Sequence, residues 1–490
     1  MRKTPFLIIF FSLLFFACEG DDSVKTGKFW VQNFSTSSYY QIDAELLAEN
    51  NLCYVWVEKG SGVSEATAEK VAYTFKEDIY LKMWNTFGYI VDWRDEKGKS
   101  VAKLNTIQSA NYIATGDTSG GKLTILLLDI KDDYKKGVND SYVAGYFWAG
   151  NLYENGLRPD QPSNERDMIY VDINPGVPGE KDSNETLAHE LQHLMNFVSS
   201  CIFREKGTDL WIDEGLSVTA EWVYSGKHSE QRLSWSDLNG DGKEIKGSLD
   251  KGNNFFVWGN RTTDKNPYPI LDDYSTVYLF FQWLGLQADN KIYKEISISK
   301  NYDYNAVINA FNSIVSVDKY MDWKAMLEDW LIANYNKSSS GRWGYGSDTE
   351  LNKIKTHYAP GGSTSIDLFQ GEGVYSKIEG TAPSTTPAGN IRYKNLSSVV
   401  LLTYNANTNV EKDGNYKPVG VVETGTITGV APPPSANIFP VSSGGRSISG
   451  IGPFPIGAGD MLRQKSKKDG FSGGMNFTIP DTYRKVIVDE

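Results

Sequence analysis

A chain of 490 residues is long enough for two or three domains, each with a hydrophobic core of its own. Hydrophobic residues make up 40% of the chain and charged residues 22%, a composition that excludes a mainly disordered protein. The formal net charge of -12 argues against nucleic acid as a partner, because contacts with phosphates need a basic surface. It argues equally against electrostatic docking onto an anionic membrane.

The N-terminus has the pattern of an export signal. A short basic segment precedes an apolar run at residues 6–16, which is too short to span a bilayer. We therefore predict a signal peptide over residues 1–17. Cys18 directly after it resembles the bacterial lipoprotein signal, in which this cysteine is acylated, although Phe15 stands where that signal prefers Leu. An ordinary signal peptide with an incidental Cys18 is the alternative, and residues 18–27 would form a polar tether.

The next part of the chain predicts alternating strands and helices. Apolar runs bounded by glycines and charges predict strands at residues 52–58, 123–130 and 168–173. An amphipathic pattern predicts a helix at residues 64–87, and helices dominate residues 184–336. Such a mixture of strands and helices predicts an α+β domain.

The composition changes beyond about residue 340. The chain becomes rich in Gly, Ser, Thr and Pro, with short alternating segments such as residues 397–404. This density of turns is typical of a β-sandwich. We therefore predict an α+β domain at residues 28–340 and a smaller β-rich, sandwich-like domain at residues 341–490.

Two cysteines lie beyond the N-terminal signal, at Cys53 and Cys201. In an exported protein they could form one disulfide bond. Two separate buried thiols are an equally good interpretation, because a free cysteine packs as a small hydrophobic residue.

The segment from His189 to His193 has the spacing of a metal site. Apolar residues recur around it every three or four positions, which predicts a helix whose start Asp182 or Ser183 can cap. On a helix, His189 and His193 lie one turn apart on the same face, so both imidazoles can reach one ion. Glu190 lies beside them, where its carboxylate can meet a water held at that ion.

Glu214 is the predicted third ligand. A pattern with a third histidine would need Gly at position 196 and His at position 199, where Asn196 and Ser199 stand. Glu214 instead begins a second apolar-periodic segment, and two antiparallel helices would bring it beside the histidine pair. Three protein ligands leave a fourth position for water, as a catalytic zinc requires, whereas a structural zinc site is closed by four Cys or His ligands.

Other acids and one histidine compete with Glu214 for this position. Asp213 is predicted to point to a different helix face, and no motif supports the remaining three. The competing residues are Asp213, Glu205, Asp209 and His228.

These motifs resemble the glutamate-ligand branch of zinc peptidases and, more specifically, the hyicolysin family of bacterial metalloendopeptidases. The resemblance covers roughly residues 28–340. Its specific part is the pair of metal motifs, and shorter segments support it. The segments are Gly145-Tyr-Phe-Trp, Ser163-Asn, Tyr170-Val-Asp, Leu187-Ala-His-Glu-Leu-Gln-His-Leu-Met-Asn-Phe, Trp211-Ile-Asp-Glu-Gly-Leu-Ser and Asp329-Trp-Leu-Ile-Ala-Asn-Tyr. The resemblance implies a thermolysin-like (zincin-like) fold, one catalytic Zn2+ and Glu190 as the general base.

Related peptidases also use a Tyr or His to stabilise the oxyanion. We predict Tyr274 for this role, because it precedes an apolar helix that should pack near the site; Tyr278 and His228 are alternatives. An aromatic residue that only packs in the core is at least as good an interpretation of Tyr274. Glu221, seven residues after Glu214, returns to the same helix face and could hold a histidine ligand through its second nitrogen. A solvated helix acid is the slightly preferred interpretation of Glu221.

Residues 237–244 resemble the start of a calcium loop. Asp237, Asn239 and Asp241 place oxygen ligands at alternate positions, but Ser248 stands where the distal glutamate is needed. A solvated turn is the preferred interpretation, and a structural Ca2+ is the alternative.

Together these patterns predict an exported, zinc-dependent endopeptidase that acts on proteins or peptides. We expect a monomer that an acylated Cys18 anchors to the lipid bilayer, at the periplasmic membrane face or the cell surface. The alternative is a non-catalytic surface lipoprotein, an adhesin or binding module on a peptidase scaffold. The intact set of His189, Glu190, His193 and Glu214 favours the enzyme, because a degenerate scaffold usually loses one of them first.

Overall fold

The computed structural model describes residues 24–87, 122–139, 142–152, 155, 161–202, 207–230, 232–233, 255–256, 269–354, 365–368, 373–377, 391–396, 399–404 and 420–423. The signal peptide, Cys18 and the calcium-loop candidates Asp237, Asn239 and Asp241 lie outside these residues. Predictions about them therefore stay predictions.

A six-stranded mixed sheet forms the first layer, with the strand order β1-β2-β3-β4-β6-β5. Its strands are β1 (Thr26–Asn33), β2 (Ser38–Glu49), β3 (Cys53–Glu58), β4 (Leu123–Leu128), β5 (Gly145–Phe147) and β6 (Met168–Asp172). The strands β3, β4 and β6 run parallel, whereas β1, β2 and the short edge strand β5 pair antiparallel to their neighbours. The three strands predicted from apolar runs are thereby confirmed to within two residues at each end.

The central strands are buried on both faces, which explains why they are continuous apolar runs. Every residue of β4 and of β6 is buried. In β3, buried and half-buried residues alternate, as expected where one face is less well covered. Parallel strands need this double coverage, because their crossover connections place chain on the faces of the sheet.

Helices cover one face of this sheet and continue beyond it. They are α1 (Glu65–Thr74), α2 (Leu81–Phe87), α3 (Lys181–Phe197), α4 (Leu210–Ser225), α5 (Pro269–Ala288), α6 (Lys291–Ser297), α7 (Tyr304–Ile314) and α8 (Trp323–Asn336). A π-helical segment, Phe75–Tyr80, joins α1 to α2, so the helix predicted at residues 64–87 is a helix with one wider turn inside it. Ser64 begins it by accepting a hydrogen bond from the Thr67 backbone N–H.

Helix α3 carries the predicted metal motif and is buried almost throughout. Its apolar positions enter the main core between the sheet and the helices, as the three- and four-residue spacing predicts; they are Leu187, Leu191, Leu194, Met195 and Val198. The predicted N-cap residue of the helix was wrong. Glu180 occupies the N-cap position without a side-chain hydrogen bond, so Asp182 and Ser183 lie inside the first turn.

The sheet curls towards the face that the helices do not cover. Strand β1 lies at the sheet edge, yet the Asn164 side chain accepts a hydrogen bond from the Trp30 backbone N–H (2.7 Å) and donates one to its carbonyl (2.8 Å). The Tyr146 hydroxyl, from β5, accepts from the Gln32 backbone N–H at 3.1 Å. The sheet is therefore curled, with a second, smaller core that includes Phe29, Val31 and Leu126 inside the curl.

The chain beyond α8 continues along the helical layer. The Trp283 indole donates a hydrogen bond to the Arg342 carbonyl at 2.8 Å, and the buried Tyr345 hydroxyl donates to the Asn334 side chain. Residues up to Ile354 thus contact the helices, past the predicted boundary at residue 340. The division at that residue remains a prediction.

Short antiparallel strands follow the helical region. They are β7 (Ser365–Leu368), β8 (Gly373–Lys377), β9 (Ile391–Leu396), β10 (Val399–Tyr404) and β11 (Gly420–Glu423). β8, β10 and β9 form one sheet, and β11 pairs with β7. The Tyr375 hydroxyl donates to the Leu331 carbonyl at 2.5 Å, which joins β8 to α8. The sandwich arrangement predicted for residues 341–490 remains a prediction.

Cys53 and Cys201 are free thiols, and both are buried. The interpretation as separate packed thiols is the one that the structure supports. Among the residues that the structure describes, no helix has both the length and the apolar composition needed to cross a bilayer.

Candidate metal centre

Two histidines of α3 aim the same ring atom at one point. His189 and His193 are both fully buried, and their Nε2 atoms lie 3.0 Å apart. Their spacing of four residues is one helical turn, which places both rings on one face. Two imidazoles in this arrangement present their lone pairs to one position.

Glu214 of α4 completes the group. Its Oε2 atom lies 3.5 Å from the Nε2 atom of each histidine. Three ligands about 2.0–2.1 Å from a tetrahedral ion stand roughly 3.3–3.4 Å from one another, so these separations fit one ion. Two imidazoles and one carboxylate form a donor set that suits zinc. Among the described residues, this is the one group of His, Cys, Asp and Glu side chains close enough to share a metal ion.

The position of Glu214 depends on how closely α4 packs against α5. The sequence had suggested that Glu214 begins this helix. Helix α4 begins at Leu210 instead, so Glu214 lies one turn inside it. At the next residue, Gly215, an added Cβ would lie 2.3 Å from the Phe281 ring of α5. A side chain there would push the two helices apart and move Glu214 away from the histidines.

The second ring nitrogen of His189 contacts Glu221. The distance from His189 Nδ1 to Glu221 Oε1 is 2.9 Å. The side chain of Glu221 is 4% exposed, so its interpretation as a solvated helix acid is wrong. The same Oε1 atom accepts a hydrogen bond from Arg232 Nη2, also at 2.9 Å. Sequence reasoning missed Arg232, because no motif connects it to the histidines.

The second ring nitrogen of His193 contacts Asp213. Its Nδ1 atom lies 3.0 Å from Asp213 Oδ2 and 3.1 Å from Ser217 Oγ. The Asn196 side-chain amide donates hydrogen bonds to Asp213 Oδ1 and, at 2.7 Å, to Thr208 Oγ1. Asp213 points to a different side of the site from Glu214, as predicted. The sequence did not predict that Asp213 contacts His193.

The buried acids raise the pKa of both imidazoles. Burial by itself lowers the pKa of His189, but hydrogen bonds with Glu214 and Glu221 outweigh it and raise the pKa above its usual value. Burial likewise lowers the pKa of His193, while the charges of Asp213 and Glu214 raise it well above the usual value. Burial by itself raises the pKa of Glu214, but the two histidines outweigh burial and lower the pKa to about 2. A cation is therefore favoured at this site, where a metal competes with protons for the same nitrogens.

Glu190 lies against the edge strand β5. Its side chain is fully buried, and a Cβ added at Gly145 would lie 3.5 Å from Glu190 Cγ. That Cβ would also lie 2.6 Å from Thr186 Cγ2, one turn before Glu190 on α3. The absence of a side chain at Gly145 thus allows Glu190 and α3 to pack closely against β5.

Tyr274 of α5 lies next to the histidines. Its ring centroid is 6.3 Å from that of His189, and the Arg232 guanidinium lies 4.7 Å above the Tyr274 ring. The sequence predicted that Tyr274 precedes an apolar helix, but Tyr274 lies inside α5. Its predicted position near the histidines is present in the structure.

The alternatives Tyr278 and His228 are bonded to each other. The Tyr278 hydroxyl lies 2.6 Å from His228 Nδ1, and His228 Nε2 lies 2.8 Å from Asp348 Oδ2. Burial raises the pKa of Tyr278 well above its usual value, so the hydroxyl keeps its proton. His228 bridges Tyr278 and Asp348, and neither Tyr278 nor His228 belongs to the metal group.

The remaining competing ligands do not enter the group either. Asp209 occupies the N-cap position of α4. Glu205 lies outside the described residues.

A comparison with known proteins found a metalloprotease that is similar in sequence to this chain. The neutral metalloprotease ShpI of Staphylococcus hyicus is 28% identical to this chain over 318 residues. The alignment covers 61% of this chain and 66% of the relative, just under two thirds of its length. No family model matches the chain. The resemblance to hyicolysin-like metalloproteases, predicted from the motifs, is thereby confirmed as a sequence relationship.

Proposed function

We propose that this chain, similar as it is to a neutral metalloprotease, is a zinc-dependent endopeptidase that hydrolyses protein substrates. The observation that carries the proposal is the convergence of His189, His193 and Glu214, with Glu190 next to the first of them. A zincin-like arrangement, in which the metal helix α3 lies behind an edge strand, accommodates this group. Helix α3 and strand β5 provide those two elements.

The donor set suits a catalytic zinc better than a structural one. Two histidines and one glutamate leave a coordination position open, whereas structural sites use four Cys or His ligands. When bound there, zinc supplies Lewis acidity that polarises a peptide carbonyl and makes a water molecule more acidic.

Glu190 serves as the general base and then as the general acid. Its carboxylate takes a proton from the attacking water and delivers it to the amine that leaves. Burial behind β5 keeps this carboxylate away from bulk solvent, so its proton transfer is confined to groups inside the site.

Tyr274 stabilises the negative charge that develops on the carbonyl oxygen. A preorganised donor at such an oxygen is worth about 10²–10³ in rate. Tyr274 is preferred over Tyr278 and His228 because those two are bonded to each other and to Asp348.

The N-terminal signal and the C-terminal region complete the proposal. A signal peptide over residues 1–17 and an acylated Cys18 export the enzyme and hold it as a monomer on a lipid bilayer, with residues 18–27 as the tether. The enzyme is then at the periplasmic membrane face or the cell surface. The β-rich region from residue 341 adds a second domain, and the loop of Asp237, Asn239 and Asp241 is a solvated turn, with a structural Ca2+ site as the alternative.

The test is cleavage of casein by the protein that begins after Cys18. We expect wild-type cleavage to stop with a zinc chelator and to return with added zinc. Glu190→Gln should keep its zinc and lose at least about a hundredfold in kcat, because it cannot carry the proton. Glu185→Gln is the matched control, since Glu185 is a buried acid on the same helix that pairs with Lys181 at 2.9 Å.

Two results would contradict the proposal. A wild type that binds no zinc rejects the metal centre. A wild type that binds zinc but cleaves none of a varied set of proteins rejects the enzyme, and leaves a non-catalytic surface protein on a peptidase scaffold.

A further inference from the structure

One carboxylate oxygen near the metal group is shared by two donors. Glu221 Oε1 lies 2.9 Å from His189 Nδ1 and 2.9 Å from Arg232 Nη2. All three side chains are at least 95% buried. Arg232, Glu221 and His189 therefore form a continuous chain from a cation to a metal-binding ring.

We propose that Arg232 is a positioning residue for the metal centre, which fixes His189 through Glu221 and so strengthens zinc binding. The inference rests on the proposed zinc site and deepens it. The hydrogen bond that links Arg232 to this group goes to Glu221. Its effect is carried by the carboxylate.

The first step of the argument concerns Glu221. A buried carboxylate without a partner is strongly unfavourable, and a guanidinium offers a hydrogen bond and a full positive charge at once. Oε1 is a carboxylate oxygen that already accepts a hydrogen bond from Arg232. His189 can therefore bond to it only as a donor, through Nδ1–H. This selects the ring tautomer whose Nε2 carries a lone pair, and Nε2 is the atom that faces Glu214 and His193.

The second step concerns how Arg232 is itself held. Its guanidinium lies 4.7 Å above the ring of Tyr274, a distance suited to a cation–π contact. Arg232 is thus fixed from two sides, by Glu221 of α4 and by Tyr274 of α5. The planar guanidinium can satisfy both contacts, whereas the point charge of a lysine cannot.

The third step is a comparison of the two histidines. His193 is also oriented by a carboxylate, but Asp213 is held by the neutral amide of Asn196. Among the residues that the structure describes, the carboxylate anchored by a cation is the one that contacts His189. Loss of that cation should therefore weaken the His189 side of the site without changing the Asp213 side.

The experiment measures the zinc dissociation constant by competition with a chromophoric chelator. We expect Arg232→Met and Glu221→Gln each to weaken zinc binding about ten- to a hundredfold, the usual cost of losing an outer partner of a metal ligand. If Arg232 acts through Glu221, the double variant should be no weaker than the weaker single variant, because residues in one network are not additive. Independent roles would instead multiply the two losses.

Arg342→Met is the matched control. Arg342 Nη1 pairs with Asp329 at 2.8 Å, and neither residue belongs to the metal group. This variant should keep the wild-type zinc affinity. Arg232→Lys should bind zinc with an affinity between those of the wild type and Arg232→Met, and it replaces Arg232→Met if that variant does not fold.

The thermal midpoint of the zinc-free protein separates positioning from general support. An Arg232→Met protein with a lower zinc-free midpoint and unchanged zinc affinity would make Arg232 a structural residue and overturn the inference. Multiplying losses in the double variant would do the same. A wild type that binds zinc without cleaving proteins rejects the proposed function, yet the inference stands if Arg232→Met weakens zinc binding.

Discussion

Asp213 and Glu214 are neighbours in sequence and contact different atoms of the same histidine. Successive residues on a helix are turned by about 100°, so one carboxylate reaches His193 Nδ1 while the other faces Nε2. The pair thus holds the ring from both ends. An acid directly before the proposed third ligand was visible in the sequence, but its role depends on where α3 lies, which no local pattern reveals.

At the same scale, we predict that Asp213→Ala weakens zinc binding about tenfold, because His193 loses the acceptor that orients its ring. Asp213→Asn should lose less, since an amide oxygen can still accept the hydrogen bond from Nδ1. Titration with zinc measures both. Equal losses in the two variants would show that the charge, and not the hydrogen bond, is what matters.

Gly145 is the second residue whose size is critical. A Cβ there would lie 2.6 Å from Thr186 Cγ2 and 2.8 Å from the Tyr170 carbonyl oxygen. We expect Gly145→Ala to lower the free energy of unfolding by about 1–3 kcal/mol through overpacking. It should also lower kcat, because α3 and Glu190 must shift.

The double variant Gly145→Ala/Thr186→Ser removes the Cγ2 methyl that the new Cβ would meet. Urea unfolding should show that part of the lost stability returns. Recovery will be incomplete, because the carbonyl oxygen of Tyr170 remains. No recovery at all would show that the contact with the Tyr170 carbonyl of β6, and not the contact with Thr186, causes the loss.

At the scale of elements, the curl of the sheet depends on side chains from a distant part of the chain. Asn164 bonds both backbone groups of Trp30, and its amide also donates to the Tyr170 hydroxyl at 2.7 Å. We predict that Asn164→Ala lowers the free energy of unfolding by about 1–3 kcal/mol, because it leaves half-buried backbone groups without partners. Zinc affinity should not change.

The control for this prediction is Asn139→Ala. Its side-chain amide donates to the Asp133 carbonyl at the exposed surface, where water can replace it. Chemical unfolding of both variants tests the difference. An Asn164→Ala protein as stable as the control would show that the curl does not depend on this side chain.

The elements themselves were largely predictable, and their contacts were not. The runs of β3, β4 and β6 and the spacing of α3 are local patterns, so the sequence located them to within a few residues. The histidine pair is local too, which is why the two candidate histidine ligands and the candidate base could be predicted from the sequence first. Arg232 and Glu221 are eleven residues apart and His228 and Asp348 are 120 apart, and such pairs form only when the helices pack.

At the scale of the whole molecule, the Tyr278–His228–Asp348 chain joins the end of α4, α5 and the segment after α8. Burial raises the pKa of Asp348, but its hydrogen bonds with His228 and with backbone N–H groups lower the pKa below its usual value of 3.8. The folded state therefore binds this proton less tightly than the unfolded chain. The resulting stability is complete above pH 3.8 and is lost as the pH falls through the lower folded-state pKa.

We accordingly expect wild type to be more stable than Asp348→Asn at neutral pH, with a difference that shrinks below about pH 4. Urea unfolding at a series of pH values measures this difference. A difference that stays constant down to pH 3, about a unit below the usual pKa of aspartate, would show that the hydrogen bonds and not the charge carry the effect.

The covered edge of β1 bears on whether neighbouring copies of the protein can associate through strand addition. An exposed sheet edge is a template on which a second chain can add a strand, and proteins confined to a surface meet each other often. The proposed anchor at Cys18 would place its lipid only eight residues before Thr26, where β1 begins. Because Asn164, Tyr146 and the Lys131 carbonyl already bond backbone groups of Trp30, Gln32 and Phe34, neighbouring copies on a membrane find that edge occupied.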